Sequence, residues 1–468
     1  MDPLKRSVYN ILADHFSVSA EDISDGIGPG DLVNWDSLGQ MQLVIKIEKE
    51  FNFKFTVEEI IAINSVKDLM AVIKRHSSNR EIEDPIIDQR QNKSIVTHLL
   101  RLPRNTYWGE NSIRALNMLE QKKVVIVLGS SAYTSGMKQK LSMYLRKSKI
   151  DFVQKENGEP QASDIYKAAE ALSKHSPDLI IAAGGGSCLD TAKLSWVLYE
   201  YPGLKLGDLA CPHSLPPLRN KASFIAIPTT FGSGSEVSSA AVFSKDDSMA
   251  KTVIVSHELL PDQVILDPNL GESMPLGILY TSAFDALTHA IEGFVSSIVN
   301  PAVDPYAIFS VKNIINALHE IQQKGISSRH LYSLCYSAYY SGIVQNHCSA
   351  GLTHSLAHQL GNYGIRHGLG NALFLTIVIE CNKRWTDRYD QLADGCGFGR
   401  ADGLITTIKK LIKNAGILPD SEALKKVLDD RDAIIELAMR DITFKTNPVV
   451  LKKDELGIIF DRFQKEFL

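Results

Sequence analysis

The sequence predicts a chain in three parts. An all-helical bundle comes first, then an α/β domain with a mostly parallel sheet, then an all-helical domain. Three observations carry this reading. Near the start, Leu4, Val8, Ile11 and Leu12 recur at helical spacing, and the loop Asp25-Gly26-Ile27-Gly28-Pro29-Gly30-Asp31 follows. From about Leu99, apolar runs of strand length alternate with helical stretches. After Pro275 strand signals nearly vanish. With 468 residues the chain is too long for one ordinary core.

Taken in order, helices are expected over residues 4–16, 37–51, 57–61 and 66–73. The second has Leu38, Met41, Leu43, Val44 and Ile47 as its apolar positions. The polar stretch 76–93 reads as a linker. Strands are expected at 124–128, ending in Gly129-Ser130-Ser131, and at 179–183, ending in Gly184-Gly185-Gly186-Ser187. Two more are expected at 224–227, ending in Pro228-Thr229-Thr230, and at 264–266, ending in Asp267-Pro268. Near-continuous apolar strands imply a sheet covered on both faces, with ligands at the strands' carboxyl ends. The expected boundaries are 1–76, a linker at 77–96, then 97–272 and 273–468.

The net charge of −4 lies wholly in residues 1–76, where twelve acidic residues face eight basic ones. No basic face points to nucleic acid. No apolar run reaches membrane-spanning length, and the first residues lack a signal-peptide core. Six scattered cysteines favour free thiols in a reducing cytoplasm. An acidic domain ahead of a neutral body fits a module that docks on basic patches of partner enzymes.

Ser37 follows Asp36 where a loop turns into a helix. A helix start suits a phosphodiester, because free N–H groups and the dipole favour negative charge. The segment Asn34-Trp35-Asp36-Ser37-Leu38, the helix through Phe51 and Ser65-Val66-Lys67-Asp68-Leu69 resemble acyl and peptidyl carrier proteins over roughly residues 1–76. The resemblance implies a four-helix carrier bundle with 4′-phosphopantetheine on Ser37, and a phosphopantetheinyl transferase and acyl-loading enzymes as partners.

Further along, a strand ending in Gly184-Gly185-Gly186-Ser187 and opening a helix through Asp190 can cradle a pyrophosphate. A second hydroxyl-rich loop, Pro228-Thr229-Thr230-Phe231-Gly232-Ser233-Gly234-Ser235-Glu236, follows another strand. Asp285 and His289 stand at i and i+4, so they share a helix face. So do His354 and His358, and His367 precedes Gly368. One carboxylate and several imidazoles suit Fe²⁺ or Zn²⁺ with a position left open.

Residues from about 97 onward resemble the iron-containing (group III) alcohol dehydrogenase family. The segments that carry the resemblance run 184–193, 228–237, 267–268, 285–292, 354–361 and 367–368. It implies an α/β dinucleotide-binding domain followed by an all-helical metal-binding domain. It implies Asp285, His289, His354 and His367 as metal ligands, iron being favoured over zinc, and His358 beside the substrate as a proton relay. Gly185, Gly186, Ser187, Thr229 and Thr230 match dinucleotide-binding positions. Asp190 and Ser233 belong to the same two loops, and Lys251 matches a lysine near the nicotinamide ribose. The 358–367 segment is one residue shorter than the family pattern, with Arg366 where proline is common. A carboxylate is absent across Gly129-Ser130-Ser131, where it would repel a 2′-phosphate, and this leans towards NADP(H) over NAD(H).

The expected function is a carrier–dehydrogenase fusion acting on a small carbonyl or alcohol substrate in a cytoplasmic biosynthetic pathway, possible as a homodimer. Two other readings stand beside it. One is a scaffold with an inactive dehydrogenase half. The other is an enzyme like the glycerol dehydrogenases and sugar-phosphate cyclases.

Overall fold

A computed structural model describes residues 99–120, 123–134, 136–156, 158–210, 215–244 and 251–468. In the N-terminal part it describes 3–16, 18–28, 31–32, 35, 43–44, 46–48, 50–51, 53, 55, 59–60, 63 and 65–78. The chain divides into two compact units, Met1–Thr97 and His98–Leu468.

The first unit is helical. Helix Pro3–Phe16 buries Val8, Leu12 and Phe16, the face its sequence spacing predicts. Helix Val66–Ser78 contributes Val66, Leu69 and Ile73, and Leu43 and Ile47 join them from the helical residues within 43–51. Trp35 is almost wholly buried and stacks on Phe16 at 4.9 Å. At the start of Val66–Ser78, Ser65 Oγ accepts from the Asp68 N–H and donates to the Asp68 carboxylate. The helix runs to Ser78, beyond the expected end at 73. Ser37 and the linker expected at 77–96, from residue 79 on, lie outside the described residues.

The second unit contains a six-stranded parallel sheet of order β1-β8-β5-β4-β2-β3. Its strands are β1 Asn105–Trp108, β2 Lys123–Gly129, β3 Lys149–Lys155, β4 Leu179–Gly184, β5 Ser223–Pro228 and β8 Gln263–Leu266. A separate antiparallel hairpin pairs β6 Ala240–Ser244 with β7 Lys251–Val255. The four expected strands are β2, β4, β5 and β8. Their residues alternate between two cores: Val125, Val127, Ile180, Ala182 and Phe224 face one side, and Val124, Ile126, Leu128, Ile181 and Ile225 the other. The first of these cores continues without a break into the helices Leu276–Val295, Asp304–Lys324 and Ser328–Cys348. A further core joins the helices between Leu352 and Phe467.

The strand order reverses between β2 and β4. From β2 the chain moves outward to β3, then returns to the other side of β2 and proceeds through β5 and β8. The crevice at such a switch point is where sheets of this kind bind ligands. Gly129 and Gly184 meet there: a Cβ on Gly129 would lie 3.6 Å from the Gly184 Cα. No helix among the described residues is long and apolar enough to cross a membrane. The five described cysteines are free thiols.

Candidate metal and nucleotide site

Helix Leu276–Val295 carries Asp285, His289 and Glu292 at i, i+4 and i+7, on one buried face. Helix Leu352–Ala357 brings in His354, and helix His367–Asn382 begins with His367 and carries Asn371 one turn later. Ligand atoms of Asp285, His289 and His354 all lie within 4.8 Å of one another. Asp285 Oδ1 is 3.7 Å from His354 Nε2 and 3.4 Å from His367 Nε2. The His289 and His354 rings stack at 4.4 Å.

The Asp285–His354 and Asp285–His367 spacings fit a metal, with His367 outside the group of three that lie mutually within 4.8 Å. Four ligands at about 2.0–2.2 Å in a tetrahedron stand about 3.3–3.6 Å apart. The donor set of one carboxylate and three imidazoles suits Fe²⁺ or Zn²⁺. Buried polar atoms without hydrogen-bond partners also gather here: Nδ1 of His289, Nδ1 of His367 and Oδ1 of Asn371. Burial alone would raise the Asp285 carboxyl, but the three imidazoles hold it far below the usual carboxylate range. Burial pushes His289 down to about 4 and His367 well below the ordinary imidazole value. His354 goes the other way: burial opposes its charge, yet the carboxylates of Asp285, 3.7 Å away, and Glu292, hydrogen-bonded at 2.6 Å, lift it.

The helices can meet this closely because of a glycine. A Cβ on Gly368 would sit 2.1 Å from the Thr281 carbonyl oxygen and 3.2 Å from the Asp285 Cβ. Arg366, in place of proline, adopts φ −63° and ψ 147°, the region proline itself holds. The shorter 358–367 segment therefore still delivers His367 to Asp285.

His358 stands beside this set. Its Nδ1 is 2.8 Å from Asp441 Oδ2, and its ring stacks on His367 at 5.0 Å. Asp441 also accepts from the Thr443 N–H and hydroxyl. Although burial raises it, the bonds to His358 and Thr443 pull it to about 2. An ionised carboxylate on Nδ1 leaves Nε2 as the free nitrogen.

The two glycine-rich loops lie against each other. The Thr229 N–H donates to the Gly184 carbonyl at 2.9 Å. A Cβ on Gly185 would stand 3.0 Å from Thr230 Oγ1, and one on Gly186 2.6 Å from Ser233 Oγ. Gly185 caps helix Gly186–Glu200, whose first N–H groups face the crevice end of the sheet. This is a cradle that side chains would fill, and it fits a pyrophosphate. Ser187 Oγ donates to the Gly158 carbonyl. Asp190 is half-buried, with Ser235 Oγ donating at 2.5 Å and the Val242 N–H at 3.0 Å, so its carboxylate braces the second loop. Lys251, at the start of β7, pairs with Glu159 at 3.4 Å, and its charge reaches His367.

The second loop also touches the helices. A Cβ on Gly232 would meet the Ser282 carbonyl oxygen at 2.7 Å. Gly234, at φ +62°, lies against Gly342, whose Cα such a Cβ would meet at 2.5 Å. The glycine cradle and the helix of Asp285 and His289 are thus joined through one loop.

Sequence reading assigned no role to Glu292, Asn371, Gly368 or Asp441. Glu292 continues the Asp285–His289 face and Asn371 follows His367 at i+4, so helical spacing could have found both. Asp441 lies 83 residues from His358, and nothing in the sequence joins them.

Comparison with known proteins agrees with this architecture. Residues 103–268 match the family described as iron-containing alcohol dehydrogenase, and 279–463 match its C-terminal domain. Residues 8–73 match the phosphopantetheine attachment site. An NADPH-dependent butanol dehydrogenase of Clostridium saccharobutylicum is 33% identical over 379 residues, covering 77% of this chain and 96% of that protein. An alcohol dehydrogenase of Thermococcus barophilus is 32% identical, covering 76% and 96%. The solved iron-containing alcohol dehydrogenase of Thermococcus thioreducens superposes with a TM-score of 0.72 at 30% identity, covering 78% of this chain and all of that one.

Proposed function

The chain belongs to the iron-containing alcohol dehydrogenase family, preceded by a phosphopantetheine attachment domain, and from that premise we propose that it reduces an aldehyde or ketone delivered by its own prosthetic arm. It is an NAD(P)-dependent alcohol dehydrogenase that uses a divalent metal. Its attachment domain brings 4′-phosphopantetheine and, as partner, a phosphopantetheinyl transferase. In this reading Ser37 bears the arm, acyl-loading enzymes charge it, and the setting is a cytoplasmic biosynthetic pathway. The observation that carries the redox half is the meeting of Asp285, His289 and His354 at the helix that the second nucleotide loop touches.

Asp285, His289, His354 and His367 hold the metal, with iron favoured. When bound, the metal supplies a Lewis acid for the carbonyl oxygen and the dinucleotide supplies the hydride. Gly185, Gly186, Ser187, Thr229, Thr230 and Ser233 orient the dinucleotide, and Lys251 holds its ribose. Asp441 keeps His358 turned so that Nε2 can take a proton from solvent and pass it to the alkoxide oxygen. The same residues serve the reverse oxidation. The intact donor set argues against an inactive scaffold, and the Asp285–His289 pair argues against the cyclase-like alternative.

NADPH is the favoured cofactor. No carboxylate stands at the end of β2, and Ser130 Oγ is tied to the Lys155 carbonyl. A Cβ on Gly129 meets only ordinary contacts at 3.6 and 3.7 Å, so the Cβ of Gly129→Asp is tolerated there. It is expected to lower kcat/KM for NADPH relative to NADH by roughly 5- to 150-fold, through repulsion of the 2′-phosphate. A wild type that already prefers NADH severalfold sinks this assignment.

The carrier half is tested by tethering. A transferase with coenzyme A is expected to add about 340 Da to wild type and nothing to Ser37→Ala. One carbonyl compound is then offered on the fused arm and on free pantetheine at low micromolar concentration. Tethering raises the local concentration to the millimolar range, so about 100-fold faster turnover is expected. Equal rates, with the linker intact or cut, would show that the arm serves another enzyme.

A further inference from the structure

The carboxylate of Glu292 is 3% exposed and stands on the same helix face as Asp285 and His289. A buried carboxylate is costly unless its lone pairs are used. Here they are. Glu292 Oε2 accepts from the Gly351 N–H at 2.7 Å and lies 3.4 Å from the His354 N–H. Oε1 accepts from the Thr353 N–H at 2.6 Å. The closest contact of Oε2 is His354 Nδ1, at 2.6 Å. Backbone N–H groups donate to both of its oxygens, so the carboxylate is the acceptor in this cluster and Nδ1 is the donor of the 2.6 Å bond.

That bond decides which atom His354 offers to the cluster. With Nδ1 protonated and held, Nε2 is left on the far side of the ring, facing Asp285 Oδ1 at 3.7 Å. Asn371 addresses the same atom from the other side. Its Nδ2 donates to Asp285 at 2.7 Å and lies 3.1 Å from His354 Nε2. The backbone bonds add a second restraint. By gripping the N–H groups of residues 351 and 353, Glu292 fixes where helix Leu352–Ala357 starts, and hence where residue 354 stands. Only glycine permits this approach at 351: a Cβ there would lie 2.9 Å from Glu292 Oε1.

We propose that Glu292 is the positioning residue of the metal centre, fixing both the backbone and the Nδ1–H tautomer of His354 so that Nε2 meets the metal. This rests on the metal-site reading above. Partners of this kind govern ligand orientation and metal affinity, and losing one typically costs 10- to 100-fold in binding.

The test titrates Co²⁺ into chelator-stripped full-length wild type, Glu292→Gln and Asp285→Asn, followed by the cobalt d–d absorption. Metal-free melting temperatures are measured in parallel. Glu292→Gln is expected to bind Co²⁺ 10- to 100-fold more weakly, with an altered absorption band, because an amide cannot accept from all of these donors. Wild-type affinity and band in Glu292→Gln, beside loss of cobalt in Asp285→Asn, would overturn the positioning role and leave the metal site standing. Wild-type cobalt binding by Asp285→Asn would overturn the site itself. A lowered melting temperature with unchanged affinity would reduce Glu292 to a structural group and also overturn the proposal. Should Glu292→Gln not fold, nitrogen-15 spectra of zinc-loaded wild type decide instead. Nδ1 of His354 is expected to be the protonated nitrogen, and a bare Nδ1 overturns the assignment.

Discussion

Asp285→Asn is expected to yield a folded protein that purifies without its metal and reduces aldehydes at least about 1,000-fold more slowly. The change is nearly isosteric, so the helix face that buries it is kept. What it removes is the single carboxylate among three imidazoles, and with it the negative charge that draws a cation into a buried place. Lewis-acid stabilisation of the carbonyl oxygen is worth several kcal/mol, and about 4 kcal/mol corresponds to that factor in rate. Elemental analysis of the purified protein, paired with NADPH oxidation in the presence of an aldehyde, reads both effects. Full metal content together with wild-type turnover would remove Asp285 from the site.

The second large effect comes from a methyl group. Gly368→Ala puts a Cβ 2.1 Å from a backbone oxygen, that of Thr281. A carbonyl inside a helix cannot swing aside as a side chain can, so the two helices must part, and Asp285 and His367 part with them. An alanine in a helix normally stabilises relative to glycine by about 0.5–1 kcal/mol. Here the sign is expected to reverse, with overpacking costing about 1–3 kcal/mol or more and metal affinity falling by about 100-fold. Gly277→Ala is the control: it lies in helix Leu276–Val295 with nothing within 4 Å of its Cβ. Thermal melts and metal titration of the two variants should diverge. If Gly368→Ala matches Gly277→Ala in both, the close approach is not needed for the site.

What the sequence revealed follows from how each element is buried. β2, β4, β5 and β8 lie inside the sheet and are covered on both faces, so they read as continuous apolar runs. β1 and β3 are the two edges. β1 is the four residues Asn105–Trp108, and β3 mixes Lys149, Asp151, Gln154 and Lys155 among its apolar positions. Neither makes a run. β6 and β7 pair outside the main sheet; their short apolar runs, Ala240–Phe243 and Val253–Val255, were passed over in the sequence reading. The candidate metal cluster was legible because Asp285 and His289 sit at helical spacing and His354 heads a second such pair with His358. Its supports were less so. Asn371 had the right period but not a ligand's residue type, and Glu292 had both yet lay one turn beyond the Asp285–His289 pair. Asp441 and Gly368 act through contacts made only when distant segments pack. Ser37, legible from its motif, lies outside the described residues.

The loop at 229–237 bears on how this protein could be re-engineered. At Gly232 and Gly234 it presses on Ser282 and Gly342, one from each of two long helices. Its backbone is therefore shared property of the sheet and the helical body. At the end of β2, by contrast, a Cβ on Gly129 meets only ordinary contacts. Grafting the whole loop from a relative would carry with it that relative's spacing between sheet and helices. The graft would be accepted only if residues 282 and 342 came too.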